Sequence, residues 1–133
     1  MAITIDFDGR HRWKAQDNHY SNRPYSFIKV HGPSGGSMDL WAMLDTGADY
    51  LCLDNSVAKR IGINTAGARQ ILIRNAVGAR VPVPLVKVKI TMETYSADAM
   101  AVVGAFTALA GRTAIIPAIK FGMDKNGWLY AQA

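Results

Sequence analysis

The sequence predicts a mostly β fold, and three observations carry that reading. Apolar residues alternate with polar ones in short runs, as half-buried strands require. Gly, Pro, Asn and Asp gather between those runs, where turns are made. A helical spacing of apolar residues stands out in a single short stretch, at Val57, Ala58 and Ile61.

Taken in order, Ile3-Thr4-Ile5-Asp6-Phe7 alternates and runs into Asp8-Gly9, a hairpin-turn dipeptide. Residues 15–24 are polar, end in Pro24 and read as a loop. Tyr25 to His31 reads as a strand closed by Gly32-Pro33-Ser34-Gly35-Gly36. In the next strand Met38, Leu40, Ala42 and Leu44 alternate with Asp39, Trp41 and Met43. Apolar residues on both faces near its end point to a strand running into the core. Tyr50-Leu51-Cys52-Leu53 is a further short strand. Asp54, Asn55 and Ser56 offer helix N-caps. Gly62 suits the stop of the short helix between. Gln70 to Arg74 and Val81 to Thr91 are strands on either side of the turn-like Asn75-Ala76-Val77-Gly78-Ala79-Arg80. Pro82 and Pro84 lack a backbone donor, which puts them on an exposed edge or projecting hairpin. Tyr95 to Val103 is another strand, and Ile115-Ile116 a brief apolar run. Asp124-Lys125-Asn126-Gly127 is a turn before a closing strand, Trp128-Leu129-Tyr130.

A length of 133 residues suits one domain spanning 1–133, and 50% hydrophobic residues suffice for a core. The net charge of +5 admits an acidic partner. The densest basic run, Arg10-His11-Arg12-Trp13-Lys14, is short and reads as a solvated edge strand or loop, so no nucleic acid is expected. The apolar runs fall far below a membrane span, and no membrane partner is expected. Cys52 is the single cysteine, which excludes an intrachain disulfide; between Leu51 and Leu53 it reads as a small buried hydrophobe. No basic-then-apolar stretch opens the chain, so a cytoplasmic setting is expected. His11, His19 and His31 show no metal-ligand spacing, and neither metal nor cofactor is expected. Gly35-Gly36 lacks the Lys-Ser/Thr ending of a phosphate loop. Asp6-Phe7-Asp8-Gly9 is similar to the nucleophile segment of haloacid-dehalogenase phosphatases, but those need a parallel α/β domain.

The chemistry concentrates at Asp45-Thr46-Gly47. Such a tripeptide arises by chance in about one chain in fifty of this length. Its setting is more specific: it follows the apolar Trp41-Ala42-Met43-Leu44 and precedes a second apolar strand and a helix cap. That order places the Asp45 carboxylate on a tight turn between buried strands. Gly47 allows the backbone to fold close and aim N–H groups at the carboxylate, and the Thr46 hydroxyl can lock the turn. One carboxylate cannot both deprotonate a water and protonate a carbonyl. Two in contact can, because they share one proton. Asp39, Asp49 and Asp54 are too near Asp45 in sequence to build a second half; Asp98 lies in a polar-small stretch and Asp124 in a turn. The economical solution is a homodimer in which Asp45 meets its own copy across a twofold axis.

The stretch Leu44 to Ile63, with Leu-Asp-Thr-Gly-Ala-Asp-Tyr-Leu-Cys-Leu and then Val-Ala-Lys-Arg-Ile-Gly-Ile, resembles the retropepsin-like aspartic proteases, the bacterial members in particular. Arg74 to Arg80 followed by Val81-Pro82-Val83-Pro84-Leu85-Val86 is similar to the family's flap, a glycine-tipped hairpin that closes over substrate. Ile115-Ile116 sits where the family has two apolar residues, a glycine and a short helix before the C-terminal strand. On that alignment Pro117 takes the glycine's place and Ala118 that of a polar neighbour, which removes an N–H donor and puts in question the polar network that braces the site in the family. The resemblance implies a closed, barrel-like acid-protease domain with one or two short helices and a flap hairpin. It implies an aspartic endopeptidase acting on a peptide or protein substrate, with Asp45, Thr46 and Gly47 catalytic. Ala48, Asp49, Asn75, Ala76, Val77, Gly78 and Ala79 would bind substrate. Asp49 matches a position whose usual basic partner is displaced, and whether Arg112 takes its place is left open. The terminal segments, Ile3 to Phe7 and Trp128 to Tyr130, are candidates for an intersubunit sheet or for pairing within one chain. A catalytically inactive dimerisation or peptide-binding module is the alternative function.

Overall fold

The computed structural model describes residues 9–11, 14–15, 22–23, 25–74, 77–92, 94–124 and 127–132. The chain forms β1 (Gly9–His11), β2 (Lys14–Ala15), β3 (Asn22–Arg23), β4 (Tyr25–His31), β5 (Ser37–Leu44) and β6 (Leu51–Asp54). Helix α1 (Asn55–Arg60) follows, then β7 (Arg69–Arg74), β8 (Arg80–Met92), β9 (Tyr95–Gly104) and β10 (Leu109–Ala110). Helix α2 (Arg112–Ala118), β11 (Ile119–Asp124) and β12 (Gly127–Gln132) complete it. The predicted mostly β class holds, with two short helices among the described residues.

The main sheet has the order β4-β5-β10-β6-β9-β8-β7, and β4 also pairs with β8 from Ile28↔Met92 to His31↔Lys89. That second pairing closes β4, β5, β10, β6, β9 and β8 into a ring and leaves β7 outside it, with one edge unpaired among the described residues. The ring's interior is filled by period-two alternation. In β4, Ser26, Ile28 and Val30 are buried while Phe27 and Lys29 are exposed. Leu40, Ala42 and Leu44 of β5, Leu51 and Leu53 of β6, and Ile90 and Met92 of β8 meet them there. Each large apolar side chain so enclosed contributes about 1.5–3 kcal/mol relative to exposure.

Helix α1 begins and ends as its sequence dictates. Asp54 is the N-cap, accepting from the Ser56 N–H at 3.0 Å. Gly62 adopts φ 82°, and the Ile63 and Gly62 N–H groups return to Ala58 O (2.8 Å) and Lys59 O (3.3 Å), a Schellman close. Pro82 and Pro84 face Leu72 and Gln70 of β7, in the stretch of β8 before its ladder with β9 begins at Leu85. A missing donor costs least where the strand has one neighbour.

Other expectations need correction. Gly9 lies in β1 rather than in a turn, paired with Tyr130. The stretch read as a loop includes Ala15, the last residue of β2, and all of β3, paired Lys14↔Arg23 and Ala15↔Asn22. Trp41 does not enter the core: it is 39% exposed and stacks on Tyr25 with ring centroids 5.8 Å apart. Ile115 and Ile116 belong to α2, one face of which buries Ile115 while Ile116 stays exposed. Of the two pairings open to Trp128-Leu129-Tyr130, the one found is within one chain, with β1 on one edge and β11 on the other. Ile3 to Phe7 lie outside the described residues.

Candidate active site

The site is a loop, residues 45–50, held between the end of β5 and the start of β6. Two-residue β10 anchors its beginning: it runs parallel to β5 and antiparallel to β6, and Ala110 O accepts from the Asp45 N–H at 2.9 Å. Leu44, immediately before the acid, is buried. Asp45 itself is half-buried. The Gly47 N–H donates to Asp45 Oδ1 at 2.9 Å, and Ala48 N–H donates to Asp45 O at 3.2 Å. A Cβ on residue 47 would meet that same Oδ1 at 3.2 Å, tighter than most real contacts. Glycine therefore allows the carboxylate to fold back over its own turn, as the sequence predicted.

The far side of the loop is clamped by the start of α2. The first N–H groups of a helix lack internal partners. Here Gly111 donates to Tyr50 O (3.1 Å), Arg112 to Ala48 O (2.9 Å) and Thr113 to Asp49 O (3.0 Å). This contact is close enough to exclude any side chain at Gly111, whose Cβ would lie 2.6 Å from Tyr50 N and O and 2.8 Å from Ala48 O. The Arg112 guanidinium adds a fork: Nη1 donates to Thr46 O at 2.8 Å and Nη2 pairs with Asp49 Oδ1. Thr113 Oγ1 ties the helix to Met100 O of β9 at 2.9 Å.

Two expectations change. The order of two apolar residues, a glycine and a short helix is realised by Leu109-Ala110, Gly111 and α2, not at Ile115-Ile116-Pro117. Pro117 lies near the end of α2 and occupies no glycine position. The bracing network is therefore present, and Arg112 is the basic partner of Asp49. The Thr46 hydroxyl has no hydrogen-bond partner among the described residues; the turn is locked by Gly47, Arg112 and α2 instead.

Beside the loop lies an open groove of about 490 Å³. Gly47, Ala48, Asp49, Tyr50 and Cys52 line one side, with Val102; Ile71, Leu72, Ile73 and Arg74 of β7 line the other. Residues from both faces of β7 border the groove, and the strand has no second partner among the described residues. Cys52 is not a core residue: Leu51 and Leu53 are buried, so alternation turns the thiol outward into the groove. Desolvation, followed by the negative charge of Asp45, raises the Cys52 thiol to about 11.

Of the residues singled out from sequence, Asp45, Thr46, Gly47, Ala48 and Asp49 come together on this loop. Val77, Gly78 and Ala79 form the exposed tip of the β7–β8 hairpin and do not line the groove. Asn75 and Ala76 lie outside the described residues. Tyr50, Cys52, Ile71, Leu72, Ile73, Arg74 and Val102 were missed as lining residues. The parity of Cys52 against Leu51 and Leu53 was the one available signal.

No curated protein matches the chain. The aspartyl protease family matches it over residues 30–123, from β4 through β11, which includes the acid-bearing loop, the hairpin and α2. With that span covering most of its length, and with the Asp-Thr-Gly turn seated as described, the chain belongs to the aspartyl protease family of the retropepsin-like clan.

Proposed function

We propose that the chain is one half of a homodimeric aspartic endopeptidase, in which Asp45 and Asp45 of a second copy activate one water. The observation that carries this reading is the presentation of Asp45: a half-buried carboxylate held by Gly47 on a clamped loop, whose residues 47–50 line a groove shared with β7. The described chain provides one such acid, and the chemistry needs two. Like charges in contact cannot both ionise, so the pair holds one proton between them, as in aspartic proteases generally.

The substrate peptide lies extended along the β7 edge, where backbone pairing supplies affinity and alternate side chains supply selection. The exposed Val77, Gly78 and Ala79 form the tip of a flap that folds over it, and the substrate-binding role expected of Asn75 and Ala76 belongs to the same proposal. Gly78, at φ 84°, gives that tip its turn. The ionised carboxylate takes a proton from the water, whose oxygen bonds to the scissile carbonyl carbon. The protonated carboxyl gives its proton to the carbonyl oxygen. The tetrahedral diol then collapses as one carboxyl protonates the amide nitrogen, the C–N bond breaks, and the other carboxylate recovers a hydroxyl proton. No covalent enzyme intermediate forms.

The test is Asp45→Asn. The wild-type chain should cleave a peptide library at acidic pH in a pepstatin-sensitive manner, and the variant should lose cleavage while keeping its dimeric mass in sedimentation. A wild-type protein that binds peptides but never cleaves them would instead support the inactive binding module.

A further inference from the structure

We infer that the hairpin is a charge filter: it selects peptides with an acidic side chain opposite Arg74 and an apolar side chain two residues away, opposite Leu72. This rests on the endopeptidase reading for where the peptide lies. Arg74 and Arg80 are directly paired across the β7–β8 hairpin, at the end of the ladder nearest its tip. Cross-strand partners project from the same face with Cβ atoms about 4.5–5.5 Å apart, and like charges so placed repel. Neither arginine has an ion pair among the described residues, where the carboxylates of Asp98 and Asp49 are taken by Lys87 and Arg112. Arg74 also lines the groove. The other charge in that lining, Asp49, is answered by Arg112, which leaves Arg74 as the uncompensated one.

The free edge of β7 determines what meets Arg74. A peptide added there becomes the next strand, so the residue opposite Arg74 projects on the same face, in one row with Arg74 and Arg80. A carboxylate at that position accepts a charge-assisted, fork-shaped pair from a guanidinium and relieves the arginine–arginine repulsion. Leu72 lies on the same face of β7 as Arg74 and is 63% exposed. The peptide residue opposite it covers that apolar surface. The selected pattern is therefore an acidic residue, any residue, and an apolar residue, in either order along the peptide.

The experiment uses the full chain carrying Asp45→Asn, which holds peptides uncleaved. Fluorescent peptides with Glu, Gln or Lys stepped through each position of an otherwise neutral sequence are titrated by anisotropy. At one position Glu should bind about two- to fivefold tighter than Gln, the range for an exposed charge pair. That ratio should shrink as salt rises. Adding Arg74→Gln should bring it close to one, and the double charge reversal Arg74→Glu with Arg80→Glu should transfer the preference to Lys. Equal binding of Glu and Gln peptides at every position, or a preference that survives Arg74→Gln, overturns the inference. Wild-type cleavage of the same peptides separates the two readings. Cleavage without charge preference overturns the filter alone, and acid-selective binding without cleavage supports the filter while overturning hydrolysis.

Discussion

Gly111→Ala should loosen the whole acid-bearing loop. The added methyl would lie 2.6 Å from both Tyr50 N and Tyr50 O and 2.8 Å from Ala48 O, all backbone atoms that cannot rotate away. Either β10 and α2 retreat or residues 48–50 do. Overpacking of this kind costs about 1–3 kcal/mol. The displacement also stretches the bonds from Gly111 to Tyr50 and from Arg112 to Ala48, each contributing about 1 kcal/mol. A total near 3 kcal/mol should lower the urea midpoint by roughly 1–3 M at the slopes usual for small proteins. The measurement is urea unfolding at one fixed protein concentration, since a dimer's stability depends on it. Gly36→Ala is the control: a Cβ there meets nothing closer than 3.4 Å, so its midpoint should barely move. If Gly111→Ala unfolds at the same urea concentration as Gly36→Ala, the clamp between α2 and the loop is not what holds Asp45 in place.

Arg112→Ala removes a pair whose partners are 45% and 63% exposed, so stability should fall by less than about 1 kcal/mol. Cleavage should fall by about tenfold or more, because the loop that positions Asp45 loses its fork, and Arg112→Lys should not restore it. Cys52, raised to about 11, should react with iodoacetamide at pH 8 roughly a hundredfold more slowly than an unperturbed thiol. A raised thiol also contributes stability that is complete below its unfolded value of 9.0 and is lost as pH climbs toward about 11. Cys52→Ala should therefore flatten the alkaline limb of a melting-temperature profile. Asp54 behaves oppositely: its hydrogen bonds from Ser56 hold its carboxyl below the usual range. Its contribution is present above the ordinary carboxylate range and lost as pH falls through its lowered value. Asp54→Ala should melt earlier than wild type at pH 7, and the gap should close in strong acid.

Local chemistry was legible where it acts alone. The capped helix α1, the alternating β4 and β5, the prolines outside the β9 ladder and the Gly47 turn all follow from residues within a few positions of each other. What was missed depends on contacts distant in sequence. Two-residue β10 has no alternation to read and exists because β5 and β6 flank it. Helix α2 contains Thr113, Ile115, Ile116 and Pro117, poor helix formers whose segment is held by burial of Ala114 and Ile115 and by its bonds to the loop. With that helix unseen, the glycine before it was sought six residues too late, at Pro117 instead of Gly111. Arg112 and Asp49 meet across 63 positions, a separation no local pattern encodes.

The claim beneath all of this is that one active centre is shared by two chains. Titration with a tight statine-type inhibitor, followed by calorimetry at acidic pH, counts centres directly. The account predicts saturation at one inhibitor for every two chains, with no binding to Asp45→Asn. Saturation at one inhibitor per chain, or binding by a protein that stays monomeric when loaded, would contradict it.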